Sequence, residues 1–126
     1  MFQIRLGFPE MLELWETLTQ KIKSQKADKN EAILFKKLAS CFKKLSLDPK
    51  YPGLVTHDIE ALSKRYKRRV WQSYLENNKP AAGRVFWVYG PGKEDITIIG
   101  LEPHPDDKKN AYQKITLSAI SPHGDK

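Results

Sequence analysis

Residues 69–101, RVWQSYLENNKPAAGRVFWVYGPGKEDITIIGL, decide the fold. Three runs in this stretch are rich in branched and aromatic side chains: Val70-Trp71-Gln72-Ser73-Tyr74-Leu75, Arg84-Val85-Phe86-Trp87-Val88-Tyr89 and Asp95-Ile96-Thr97-Ile98-Ile99-Gly100-Leu101. Such residues suit a pleated, half-buried surface, so each run is expected to be a strand. Turn formers separate them, Asn77-Asn78-Lys79-Pro80 first and Gly90-Pro91-Gly92 second. Connections this short join neighbouring strands running in opposite directions, and the expectation is an antiparallel meander. Pro103 and Pro105 close it. A helical turn over residues 107–112 follows, then Lys114-Ile115-Thr116-Leu117-Ser118 as a candidate fourth strand of the meander.

Working outward, residues 1–8 alternate Phe2, Ile4 and Leu6 with Gln3, Arg5 and Gly7, the period of a first strand. Pro9 and Glu10 open a helix over residues 10–25, with Met11, Trp15, Leu18 and Ile22 on its inward stripe. Lys26-Ala27-Asp28-Lys29-Asn30 interrupts the pattern. A second helix covers residues 30–46, its stripe formed by Leu34, Leu38, Cys41 and Leu45. The lysines outside both stripes read as a solvated face. Asp48-Pro49 stops the second helix, and a long connection follows in which Ile59 and Leu62 suggest a short helix. The fold class is therefore α+β: an N-terminal strand, then a two-helix hairpin packed on a meander of three or four strands. The sheet's second face is expected to stay open. One domain over residues 1–120 accounts for the pattern, with residues 121–126 as a disordered tail.

Composition narrows the function. The single cysteine, Cys41, sits among Leu38, Phe42 and Leu45 and reads as a core thiol, which suits a reducing cytoplasm. No run approaches the roughly 18 apolar residues of a membrane span, and no secretory leader pattern opens the chain. A soluble, cytoplasmic protein is expected. The formal charge of +7 favours a polyanionic partner, nucleic acid or an acidic protein. Of the 22 basic residues only five are arginine, and four of them (Arg65, Arg68, Arg69, Arg84) fall between positions 65 and 84. Arginine offers a planar fork that grips phosphate with two parallel hydrogen bonds, so this concentration suggests a site. Lys64-Arg65-Tyr66-Lys67-Arg68-Arg69 is the strongest electrostatic feature and fits contacts to an RNA backbone. His57, His104 and His123 have neither helical spacing nor cysteine companions, so no metal site is expected. No cofactor-binding motif is present: Pro91 removes an amide that a phosphate cradle at Gly90-Pro91-Gly92 would use.

The order β-α-α-β-β-β, with Arg84–Tyr89 as penultimate core strand, residues 96–101 after it and a polar run ending in Tyr112, resembles the RelE/ParE superfamily of toxin components of toxin–antitoxin pairs. The resemblance covers residues 50–118 by pattern and the first half by element order. It implies an enzyme that cuts messenger RNA, on the ribosome or free, and an acidic antitoxin protein that restrains it. ParE-like members instead act on a protein target without cutting RNA, and a plain RNA-binding module is a third reading. Metal-free RNA cleavage uses the 2′-hydroxyl against the adjacent phosphate, so it needs a proton acceptor, a proton donor and positive charge. The resemblance places Arg84 at the scissile phosphate, His104 as general acid or base, and Tyr112 as the stacking or acid-assisting aromatic. Arg69 would sit near them if the meander pairs as drawn. His104, set between two prolines, equally fits a loop cap, and Tyr112 a core-packing role. His57, beside Asp58 and Glu60, is either a second proton carrier or a loop-ordering residue. Lys64, Arg65, Lys67, Arg68 and Lys108 would contact the RNA backbone. Acidic Asp106-Asp107 partly cancels Lys108 and Lys109, a departure from the dense basic set of the superfamily's nucleases.

Overall fold

A computed structural model of the chain describes residues 1–76, 79–102 and 116–120, with the backbone alone over residues 79–82. The elements are β1 (Gln3–Leu6), α1 (Glu10–Lys23), α2 (Lys29–Leu47), β2 (His57–Asp58), α3 (Glu60–Tyr66), β3 (Trp71–Glu76), β4 (Lys79–Tyr89) and β5 (Asp95–Glu102). They form one α+β fold around a five-stranded mixed sheet of order β1-β5-β4-β3-β2. Strands β3, β4 and β5 make the expected antiparallel meander, Trp71 opposite Trp87 and Val85 opposite Leu101. Strand β1 joins its far edge in parallel with β5, Ile4 opposite Ile96. The two-residue β2 extends the other edge, His57 opposite Gln72.

Helices α1 and α2 form where the apolar stripes foretold them. The start of α2 is set by a reciprocal cap: Asp28 accepts from the Glu31 amide, while Glu31 accepts from the Asp28 amide. Lys21 of α1 bridges to the same Glu31 and ties the two helices together, holding the Glu31 carboxyl below its usual range chiefly through that hydrogen bond. Met11, Leu18, Leu38, Cys41 and Leu45 bury against Leu75, Val85, Trp87, Ile96, Ile98 and Leu101 of the sheet. Burial pushes the Cys41 thiol up to about 12, so at neutral pH it is a protonated core group, as the sequence suggested.

Two expectations are corrected. The sheet has five strands in mixed sense, and its second face is covered rather than open. Alternate residues of β4, Phe86 and Val88, pack with Val70 and Ile99 against Ile59 and Leu62 of the α3 region and against Ile120. The physical reason lies in the central strands. From Ile96 to Leu101 every side of β5 is buried, and only a sheet covered on both faces can carry such a run. The candidate fourth strand also resolves differently: residues 116–120 make one isolated bridge, Ala119 with Phe8, while residues 114 and 115 lie outside the described residues. That segment is nonetheless clamped. The Ser118 amide donates to Ile99 O (2.8 Å), Ala119 exchanges bonds with Phe8, and the Met11 amide donates to Ser118 Oγ (3.1 Å).

Gly7 makes this clamp possible. A Cβ on Gly7 would stand 2.6 Å from Ser118 Cβ and 3.0 Å from both Ala119 O and Ile98 O, and two of those neighbours are backbone. Gly7→Ala is therefore expected to lower stability by about 1–3 kcal/mol, the range for overpacking a filled site. Urea unfolding followed by circular dichroism checks it, and an unchanged midpoint would show that the clamp is slack.

Candidate functional site

Arg84 projects from β4 on the same face as Phe86, away from the α1–α2 hairpin. Its cross-strand neighbours are Tyr74 on β3 and Glu102 on β5. The Arg84 Nε lies 3.4 Å from Glu102 Oε1, with the arginine side chain 28% exposed and the glutamate 8%. The two groups form an ion pair without a hydrogen bond from Nε. Among the described residues that buried Nε has no hydrogen-bond partner at all. Buried polar atoms are nearly always satisfied, so such an atom calls for an explanation. A guanidinium held beside a carboxylate can do two jobs on a phosphodiester: charge stabilisation by the former and proton acceptance by the latter.

Glu102 was missed in the sequence. Part of its signal was present, a lone acidic residue closing an apolar strand two residues before His104; its place beside Arg84 comes only from the register of β4 against β5. His104, Tyr112 and Lys108 lie outside the described residues.

Arg69 is not brought to Arg84. Trp71 pairs with Trp87, which carries Arg69 to the level of Tyr89, about 17 Å along β4 from Arg84 at ~3.4 Å per residue. It also lies on the other side of the sheet, over the Trp71 ring at 5.6 Å and 3.7 Å from Asp58. The parity of positions 69 and 84 about the paired tryptophans dictates that separation. His57 stands exposed on β2, its Nδ1 2.9 Å from Val55 O and its Nε2 3.4 Å from Gln72 Nε2. Two strand spacings, about 10 Å, separate β2 from β4, so His57 does not reach the Arg84 pair.

The basic run lies on the outside of α3 and the turn after it. Ile59, Leu62 and Tyr66 face the second core, which leaves Lys64, Arg65, Lys67 and Arg68 exposed. Lys64 stands 3.6 Å from Glu60 one turn back, with both side chains largely in water. Lys67 takes the left-handed conformation (φ 63°) that ends the helix, and Arg68 donates to Tyr89 O. Tyr66, the aromatic inside the run, is turned inward and donates its hydroxyl to Ser118 O (2.7 Å).

The chain matches no family model, no curated protein and no solved structure. The reading of this site therefore rests on its own chemistry. Among the described residues no group of three or more His, Cys, Asp and Glu stands together as a metal site would require, and no helix is long and apolar enough to cross a membrane.

Proposed function

We propose that this chain is a messenger-RNA endonuclease of the RelE/ParE toxin class, acting in the cytoplasm and restrained by an acidic antitoxin. The observation that carries the reading is the Arg84–Glu102 pair, with its unsatisfied guanidinium nitrogen, on the sheet face away from the helical hairpin. Glu102 accepts the proton of the RNA 2′-hydroxyl as that oxygen attacks the neighbouring phosphorus. Arg84 stabilises the charge that builds on the phosphoryl oxygens. The bond from phosphorus to the 5′-oxygen breaks, and His104, two residues beyond Glu102, donates the proton that the departing oxygen needs. The products are a 2′,3′-cyclic phosphate and a free 5′-hydroxyl. The exposed Lys64, Arg65, Lys67 and Arg68 hold the RNA backbone on a neighbouring surface, and Lys108 and Tyr112 are assigned to the same substrate.

The test is incubation of the purified protein with single-stranded RNA, in chelator, followed by analysis of the ends. Fragments with 2′,3′-cyclic phosphate termini support the reading. Intact RNA that is nonetheless bound supports a plain RNA-binding module and rejects the nuclease. Failure to bind RNA, combined with tight binding of an acidic protein, supports the ParE-like alternative.

A further inference from the structure

Five residues along β4 from Arg84, on the sheet's other face, a group of rings at the rim of the hairpin-side core leaves one of its members, Tyr89, part-exposed. Tyr89 is 42% exposed although it is a large aromatic at the end of the central strand. Its ring is held from three sides: Trp87 at 5.0 Å and 87°, Phe2 at 5.9 Å and 48°, and Trp71 at 6.2 Å and 77°. Trp71 is half-buried and carries the Arg69 guanidinium over its ring. Arg68 reaches the Tyr89 carbonyl, and Lys44 stands over the exposed Tyr51 ring on the loop after α2. The acidic groups here are Asp48, close enough to raise the Tyr89 hydroxyl pKa as a secondary contribution to burial, and Asp58, beside Arg69.

We infer that the exposed ring of Tyr89 is a stacking platform for an unpaired base of single-stranded RNA, with Arg68 and Arg69 placing the flanking phosphates. The inference rests on the RNA reading above but concerns a surface separate from the Arg84–Glu102 pair. Two physical arguments support it. An aromatic ring already locked by its neighbours gives up little freedom when a base stacks on it. The platform also sits at the end of the basic run: the Arg68 guanidinium reaches the Tyr89 carbonyl, so a phosphate beside a base stacked at Tyr89 meets a cation. Stacking accepts every base, which suits a protein whose contacts here are rings and guanidinium groups rather than base-edge readers.

The experiment measures binding of a fluorescein-labelled 2′-O-methyl RNA oligonucleotide, which lacks the attacking hydroxyl and is not cut. Tyr89→Ala is expected to weaken binding about tenfold or more, within the range for losing one stacked base, with the salt slope unchanged. Tyr89→Phe should bind like the unaltered protein, and Tyr89→Leu, which keeps apolar bulk without a flat face, should be as weak as Ala. Arg69→Gln should instead flatten the dependence of log affinity on log salt by about 0.7, one single-strand phosphate contact. Circular dichroism confirms that each variant is folded, and the Leu variant stands in if Ala does not fold. RNA binding that is indifferent to Tyr89→Ala and Tyr89→Leu overturns the platform and leaves the nuclease reading intact. If the unaltered protein binds an acidic protein and no RNA, both fall.

Discussion

Glu102→Gln is expected to lower the rate of RNA cleavage by about 10²–10⁴-fold, the usual worth of a positioned proton acceptor, while the protein stays folded. Glutamine matches glutamate in shape, so the 6%-exposed position at the end of β5 keeps its packing. The amide has no affinity for the 2′-hydroxyl proton, and its oxygen keeps the place of Glu102 Oε1 beside Arg84. Arg84→Ala is a poorer probe, because it strands a buried carboxylate with no cation. Breaking a buried pair costs about 3–5 kcal/mol, and the partial exposure of Arg84 puts this one toward the lower end. Arg84→Lys separates the roles better: it retains charge beside Glu102 but loses the planar fork that grips two phosphoryl oxygens. Cleavage should therefore drop with little loss of thermal midpoint. A Glu102→Gln protein that cuts RNA at the original rate would reduce the pair to a structural cross-strand ion pair and reject the proposed chemistry.

What the sequence disclosed, and what it hid, follows from which contacts are local. The helices and the β3-β4-β5 meander were legible because stripes at helical spacing and short turns are local signals. The capping box at Asp28-Lys29-Asn30-Glu31 was legible too, though it lay in a segment read only as a break. Parallel pairing of β1 with β5 spans most of the chain and has no local mark. The covered second face did have one: Ile96-Thr97-Ile98-Ile99 lacks the polar alternation of a half-solvated strand. Arg84 became a candidate through the resemblance and the concentration of arginines, whereas its neighbour Glu102 emerges only from the register of β4 against β5. Arg69 was expected near Arg84 from the pairing of the meander; the strands do pair in that order, yet counting from the Trp71–Trp87 pair separates the two arginines. Tyr89 entered only as the last residue of an aromatic strand, and nothing local marks it as the ring left 42% exposed.

Trp87→Ala is expected to cost about 3–5 kcal/mol, the range for removing a buried large aromatic. Trp87 is fully buried near the end of β4, stacked on Trp71 at 5.9 Å and packed within the hairpin-side core. Its Nε1 donates to Ser73 Oγ at 2.9 Å, and Ser73 meets Thr56 Oγ1 at 2.7 Å. Thr56 spends its own proton on Pro49 O, so Ser73 must donate to Thr56 and accept from the indole. Truncation thus opens a cavity and removes the indole donor to a buried hydroxyl. Trp87→Phe fills most of the space and leaves only the polar loss, about 1–2 kcal/mol. With typical domain stabilities of about 5–15 kcal/mol, the alanine variant should melt some 10–20 °C lower. Urea titration followed by circular dichroism measures it, and a loss below about 1 kcal/mol would contradict a filled core. The shape of the transition carries further information. Val85 and Trp87 point into one core while Phe86 and Val88 point into the other, so a single strand braces both faces. Loosening Trp87 should therefore unfold the Arg84 face in the same transition, and two separate transitions would mean that α3 and its core hold together without the hairpin.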